Sequence, residues 1–153
     1  ELGRPLAAGA FGENLTTAGL DVTHAVVGER WRVGRELVLE VTSPRVPCRT
    51  FAAWLGERGW MRAFTAAARP GAYLRVLEPG PVAAGDEMAV EHRPGHGVTV
   101  AVVFRALLLE AELLPRLLEA PQLPARTRDL VLRRLAAPPA PVAMGRGSAT
   151  LEQ

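Results

Sequence analysis

The stretch Glu36-Leu37-Val38-Leu39-Glu40-Val41-Thr42-Ser43-Pro44-Arg45-Val46-Pro47-Cys48 sets the fold class. Over Glu36–Thr42, the side chains of Leu37, Leu39 and Val41 alternate with Glu36, Val38, Glu40 and Thr42. That is the period of two expected of a strand with one well-buried face. Two prolines three residues apart then remove two ladder donors, so Ser43–Cys48 reads as an extended loop or a bulged edge. Upstream, Glu29–Val33 is a short strand with Trp31 and Val33 on one face, joined to the next by a turn at Gly34-Arg35. Downstream, Arg49–Glu57 places Phe51, Trp54 and Leu55 on one helical stripe. Gly56 and Gly59 interrupt it, and a second short helix, Trp60–Ala68, runs to the stop at Pro70-Gly71. Strands over Ala72–Glu78 and Val82–His92 follow, joined by Pro79-Gly80-Pro81, with Gly85-Asp86 a turn or bulge inside the second.

At Pro94-Gly95-His96-Gly97 the apolar period changes from 2 to 3.6. Thr99 is placed to cap a helix that reaches Leu109. Two more helices are expected over Leu113–Glu119, with Pro115 in the first turn, and over Pro124–Leu135. Each is too short to be stable alone, so they must pack on one another or on the strands. Beyond Ala136, the run Pro138-Pro139-Ala140-Pro141 and the Gly/Ser/Ala-rich tail bury little and read as disordered. The expectation is an α+β, mainly β chain. It divides into a β domain over 1–94, a three-helix subdomain over 98–136 and a disordered tail over 137–153.

A chain of 153 residues is one ordinary domain, or one domain with a small satellite. The longest apolar run, Val98–Leu109, is interrupted by Arg105 and is too short for a membrane span. No basic-then-apolar leader opens the sequence, so a cytoplasmic location without a membrane partner is expected. All 18 basic residues are arginine, against 16 acidic ones, for a net charge of +2. They are scattered among glutamates with few aromatics, which argues against a nucleic-acid polymer as partner. Individual arginines can still grip an anionic ligand.

Two segments could carry chemistry. In Phe11-Gly12-Glu13-Asn14-Leu15-Thr16-Thr17, polar groups lie between glycines in a loop. Composition favours plain turn chemistry there, with Asn14 and Thr16 satisfying local backbone groups. The alternative is a ligand approached by backbone amides. The other segment is the proline-stiffened loop ending at Cys48, the only cysteine. One cysteine excludes an intramolecular disulfide and an all-cysteine metal site. Arg45, Arg49 and a following helix start favour a thiolate, hence a nucleophile or a soft metal ligand. The competing reading is a buried structural cysteine. Pro94 and Gly95 separate His92 from His96, so these two do not form a helical metal pair. No lysine-bearing phosphate loop, Ser-His-Asp set or carboxylate pair is evident.

In order and spacing, these segments resemble the MOSC domain family, in particular its YiiM-like bacterial branch. The likeness rests on Phe11-Gly12-Glu13-Asn14-Leu15-Thr16-Thr17-x-Gly19-Leu20, Gly28-Glu29-Arg30-Trp31-Arg32-Val33-Gly34 and Glu40-Val41-Thr42-x-Pro44-Arg45-x-Pro47-Cys48. It continues in Gly71-x-Tyr73-x-Arg75-Val76-Leu77-Glu78-Pro79-Gly80. The resemblance implies a MOSC-type β-barrel with a C-terminal three-helix subdomain. It implies the molybdenum cofactor (molybdopterin) as ligand and leaves pyridoxal phosphate binding open. It implies Cys48 as catalytic residue and metal ligand, with Gly12, Glu13, Asn14, Thr16, Arg45 and Cys48 around the cofactor. The implied activity is reduction of N-hydroxylated compounds such as hydroxylaminopurines, with electrons from an external donor protein. The alternative is a non-catalytic metal–sulfur carrier or interaction module without cofactor. The family's strands and His-Gly-Gly segment ahead of the Gly-Glu-Asn-Leu loop are not evident here. The barrel is therefore expected to be incomplete, as a fragment or closed across a homodimer.

Overall fold

Alternation along Leu37–Val41 and the turn after Val33 produce the central hairpin of the computed structural model, which describes residues 6–137. Strand β1 (Arg30–Val33) pairs antiparallel with β2 (Leu37–Pro44), setting Trp31 opposite Leu39 and Val33 opposite Leu37. β2 also pairs with β3 (Ala72–Glu78), and β1 with β4 (Met88–His92). The resulting antiparallel sheet has the order β3-β2-β1-β4.

The MOSC-type barrel implied by the resemblance, expected to be incomplete, is here an open four-stranded sheet. β3 and β4 lie at opposite edges, and among the described residues no strand pairs with the outer side of either. Four strands are too few to curl round onto themselves. The edges are also apolar in places, with Tyr73, Val76 and Val90 exposed. β2 departs from expectation in the other direction. Leu37 through Val41 are buried without a break, not on one face alone. Val100 packs on the sheet at Val41, and the buried Glu40 is met across the strand pair by Arg75 at 2.6 Å.

β4 is shorter than the sequence suggested. Val82–Glu87 lie outside it, because the Asp86 carboxylate accepts from the Ala83 amide at 2.7 Å and closes a tight turn. Between β2 and β3 the chain forms two short helices, α1 (Arg49–Leu55) and α2 (Trp60–Ala67). α2 ends on Ala68, which has φ 48° and is the one non-glycine left-handed residue in the described chain. Phe11, Phe51, Trp60, Phe64 and Phe104 make a continuous aromatic cluster with ring centroids 5.4–6.0 Å apart. Such separations are typical of edge-to-face and tilted pairs.

Helix α3 (Val100–Leu108) begins at Thr99, whose hydroxyl accepts from the Val102 amide at 3.2 Å, as the sequence indicated. Residues 111–119 differ from expectation: they form a 3₁₀ helix with Pro115 inside it. Proline has no N–H for an i→i−4 bond, which disfavours a regular α-helix across this stretch. Helix α4 (Ala125–Ala136) completes the C-terminal part. Val103, Ala106, Leu114, Leu117, Leu123 and Val131 pack there with Val27 and Val98. α3 also leans on the sheet, placing Val100 against Trp31, Val41 and Ala25. The tail expected to be disordered falls, from residue 138 onward, outside the described residues. No helix among those described is long and apolar enough to cross a membrane.

Candidate functional site

Cys48 lies where the proline-stiffened loop gives way to α1. Its backbone is extended (φ −139°, ψ 168°), and its Sγ accepts from the Phe51 amide at 3.4 Å, so the cysteine is the helix N-cap. The side chain is exposed, which removes the buried structural reading. It stands at the lip of a cleft of about 320 Å³, shared with Phe11, Gly12, Arg45, Thr50, Phe51 and Trp54. Arg45 crosses this cleft. Its guanidinium lies 4.2 Å from the Phe51 ring centroid and donates to the Phe11 carbonyl, tying the Gly12 loop to β2. The Arg45 amide, in turn, donates to Gly71 at 2.8 Å.

The structure therefore gathers Gly12, Arg45 and Cys48 in one cleft and leaves Glu13, Asn14 and Thr16 out of its lining. Glu13 faces its own loop. Its carboxylate accepts from the Gly9 amide at 2.7 Å, the Phe11 amide at 2.9 Å and the Thr16 hydroxyl at 3.0 Å. Desolvation is the largest influence on this carboxyl and pushes its pKa up. Hydrogen bonds from its own amide and from Gly9, Thr16 and Phe11 together outweigh it, holding the group below the usual glutamate value. A carboxylate engaged in this way holds the loop's shape. Gly12 has φ 70° with open space where a Cβ would stand, so a ligand can reach the backbone there.

Phe11, Thr50, Phe51 and Trp54 also line the cleft, which residue spacing did not show. The helical stripe grouped Phe51 with Trp54 as core. Phe51 is buried, whereas Trp54 is 72% exposed, with its indole N–H donated to the Ala10 carbonyl at 3.1 Å. The presence of four aromatics within residues 51–64 was the available signal.

A second polar group lies deep in the sheet. Glu29 is 1% exposed and accepts from the Trp31 indole at 2.8 Å, the Val26 amide at 3.2 Å and Arg93 Nε at 2.8 Å. Burial again pushes its carboxyl up, and the bonds from Arg93, Trp31 and Val26 outweigh it, leaving the pKa lowered. Nearby, His96 accepts from the Val98 amide at Nδ1, so its Nε2 donates to the Val27 carbonyl, both at 3.1 Å. His24 pairs with Asp21 on the surface. Among the described residues, no cluster of three or more His, Cys, Asp or Glu side chains could hold a metal ion.

The MOSC domain family model matches residues 1–89. The chain is 37% identical over 104 residues to YflK of Bacillus subtilis, covering 68% of this chain and 47% of that protein. It is 33% identical over 120 residues to a protein named Reductase from Gibberella moniliformis, covering 76% of this chain and 21% of that one. The chain thus spans about half or less of the length of these relatives. The fold is similar to YiiM from Geobacillus stearothermophilus, with TM-score 0.80, 29% identity and coverage of 88% of this chain and 70% of that one. It is also similar to YiiM from Escherichia coli, with TM-score 0.73, 26% identity and coverage of 83% and 64%.

Proposed function

Since the chain belongs to the MOSC domain family, we propose that the Cys48 cleft holds the molybdenum cofactor and that the protein reduces N-hydroxylated compounds. The observation that carries this reading is an exposed thiol and an arginine facing one cleft, beside a glycine open to backbone approach. The donor set suits the group. Thiolate is a soft ligand for molybdenum, and guanidinium suits a pterin phosphate. Among the described residues no side-chain cluster could hold an ion unaided, so a metal at Cys48 fits a cofactor that brings its other ligands. The relative named Reductase supports the redox class of this reading.

When bound, the cofactor supplies the two-electron couple for the balance R–NHOH + 2 e⁻ + 2 H⁺ → R–NH₂ + H₂O, with electrons from an external donor protein. The chain's own residues bind and orient. Cys48 anchors the metal, and its capping bond to Phe51 fixes the sulfur's direction. Arg45 holds the anionic end, and its stacking on Phe51 keeps the guanidinium in place without an acidic partner. Phe11 and Trp54 wall the cleft on one side.

Molybdenum and pterin analysis of protein from a molybdenum-replete host tests the assignment. Wild type should carry metal, and Cys48→Ser should lose at least nine-tenths of it while melting within a degree or two of wild type. Equal molybdenum in the two proteins overturns Cys48 as ligand. Wild type with neither metal nor pterin favours the carrier reading, for which an exposed thiol is equally suited.

A further inference from the structure

Charge is unevenly spread over this chain. Residues 45–69 hold five of the 18 arginines and one of the 16 acidic residues, a local excess of four positive charges where the whole chain has two. Elsewhere in the sheet and α3, arginines answer carboxylates: Arg93 meets Glu29, Arg75 meets Glu40, Arg32 meets Glu91 and Arg105 meets Glu110. Arg49, Arg58, Arg62 and Arg69 are exposed and have no ion-pair partner among the described residues. Between α1 and α2 lies a groove of about 570 Å³, lined by Ala52, Glu57, Gly59, Trp60, Met61 and Arg62. Met61 stands exposed in its lining, and Trp54, also exposed, lies on α1 toward the Cys48 cleft.

We propose that the α1–α2 pair is the docking face for an acidic electron-donor protein, which seats an apolar side chain in this groove and surrounds it with carboxylates. A groove lined by Trp60, Met61 and Arg62, on a segment with four further arginines, has the composition of a protein interface. The charge excess supplies the steering that a transient redox encounter needs. The position suits electron delivery. α1 is the shared wall: Ala52 faces the groove, while Thr50, Phe51 and Trp54 face the Cys48 cleft. The two lie about one helix diameter, ~10 Å, apart. Single-stranded nucleic acid fits less well. It needs a row of open aromatic faces, whereas Phe51, Trp60 and Phe64 are buried and Trp54 is the one aromatic of this segment left exposed. The inference rests on the reductase reading, because only a reductase requires the donor.

The test is binding of a purified plant-type [2Fe–2S] ferredoxin, an acidic redox protein, to the whole chain by NMR titration at 50 mM and 300 mM salt. Micromolar affinity is expected at low salt, falling at least tenfold at high salt. Arg58→Glu with Arg62→Glu should weaken it at least tenfold. Arg126→Glu, in the first turn of α4 and so matched in helix position to Arg62, should change it less than twofold. Met61→Glu, which places a carboxylate at the groove, should also weaken binding at least tenfold. Absence of binding at 50 mM salt overturns the proposal, as does equal loss in Arg126→Glu or tighter binding of a 20-nucleotide single strand to the same face. Turnover of an N-hydroxylated purine with a chemical reductant separates the two readings. Turnover without ferredoxin binding removes the docking face alone; binding without turnover removes the reductase reading and with it the electron-delivery role, leaving a face that binds protein.

Discussion

Two arginine-centred sites in this molecule use similar groups to opposite ends. At Glu29, a buried carboxylate receives an indole N–H, a backbone amide and Arg93, and it has little capacity left for anything else. At Cys48, an arginine leans on a ring and one carbonyl, and the thiol stands open beside it. The first site is saturated from within, which makes it a structural knot. The second leaves donors and a soft ligand unclaimed, which is what a binding site requires. Burial and hydrogen-bond accounting separate the two, and residue type does not.

The comparison breaks most directly at the knot. Glu29→Ala strands the Trp31 indole and the Val26 amide in the core, and the loss is expected to be about 3 kcal/mol, read from the urea midpoint. Little of that comes from Arg93, whose side chain is largely in solvent. A cost below about 1 kcal/mol, within the usual range for a surface change, would show that the knot is ornamental.

Acid offers a finer probe. Glu29 is held below its ordinary value near 4.5, so its ionised form favours the folded chain. That stability is complete above the unfolded value and drains as pH falls through the folded one. As pH falls from about 4.5 through the lower folded value, wild type should therefore lose stability faster than Glu29→Gln. Glu13 and Asp21 are lowered too, so both proteins slope and the difference isolates Glu29. Parallel curves would assign the acid sensitivity to the loops.

The smallest effect on stability belongs to the open site. Arg45→Ala removes one hydrogen bond and one ring contact, about 1 kcal/mol, and should reduce bound pterin far more than it lowers the melting temperature. A collapse in stability with normal pterin content would make Arg45 a second knot.

Much of the fold was legible because it is written locally. The presence of a strand at β2, the proline loop, the Thr99 cap and the bounds of β3 each depend on a few neighbouring residues, whereas the unbroken burial of Leu37–Val41 does not. What could not be read depends on distance. Glu29 is met in the core by Arg93, 64 positions later, a partner that no local pattern announces. The aromatic cluster joins Phe11 to Phe104 through three intermediates, and no period within one helix reveals that. At the site, Cys48, Arg45 and Gly12 were legible as a motif. The inward turn of Glu13 was not, since its bonds arise from how the loop closes.

Ala68 carries a consequence for time as well as for energy. A side chain in the left-handed region costs on the order of 1 kcal/mol that glycine does not incur, and here it sits at the last turn of an eight-residue helix. α2 should open locally long before the sheet does. Its amides are expected to exchange with solvent through small excursions, while those of β1 and β2 wait for global unfolding. Ala68→Gly should slow exchange in α2 several-fold and leave the strands unchanged. If α2 opens in this way, the face between α1 and α2 can adjust its shape to whatever settles on it.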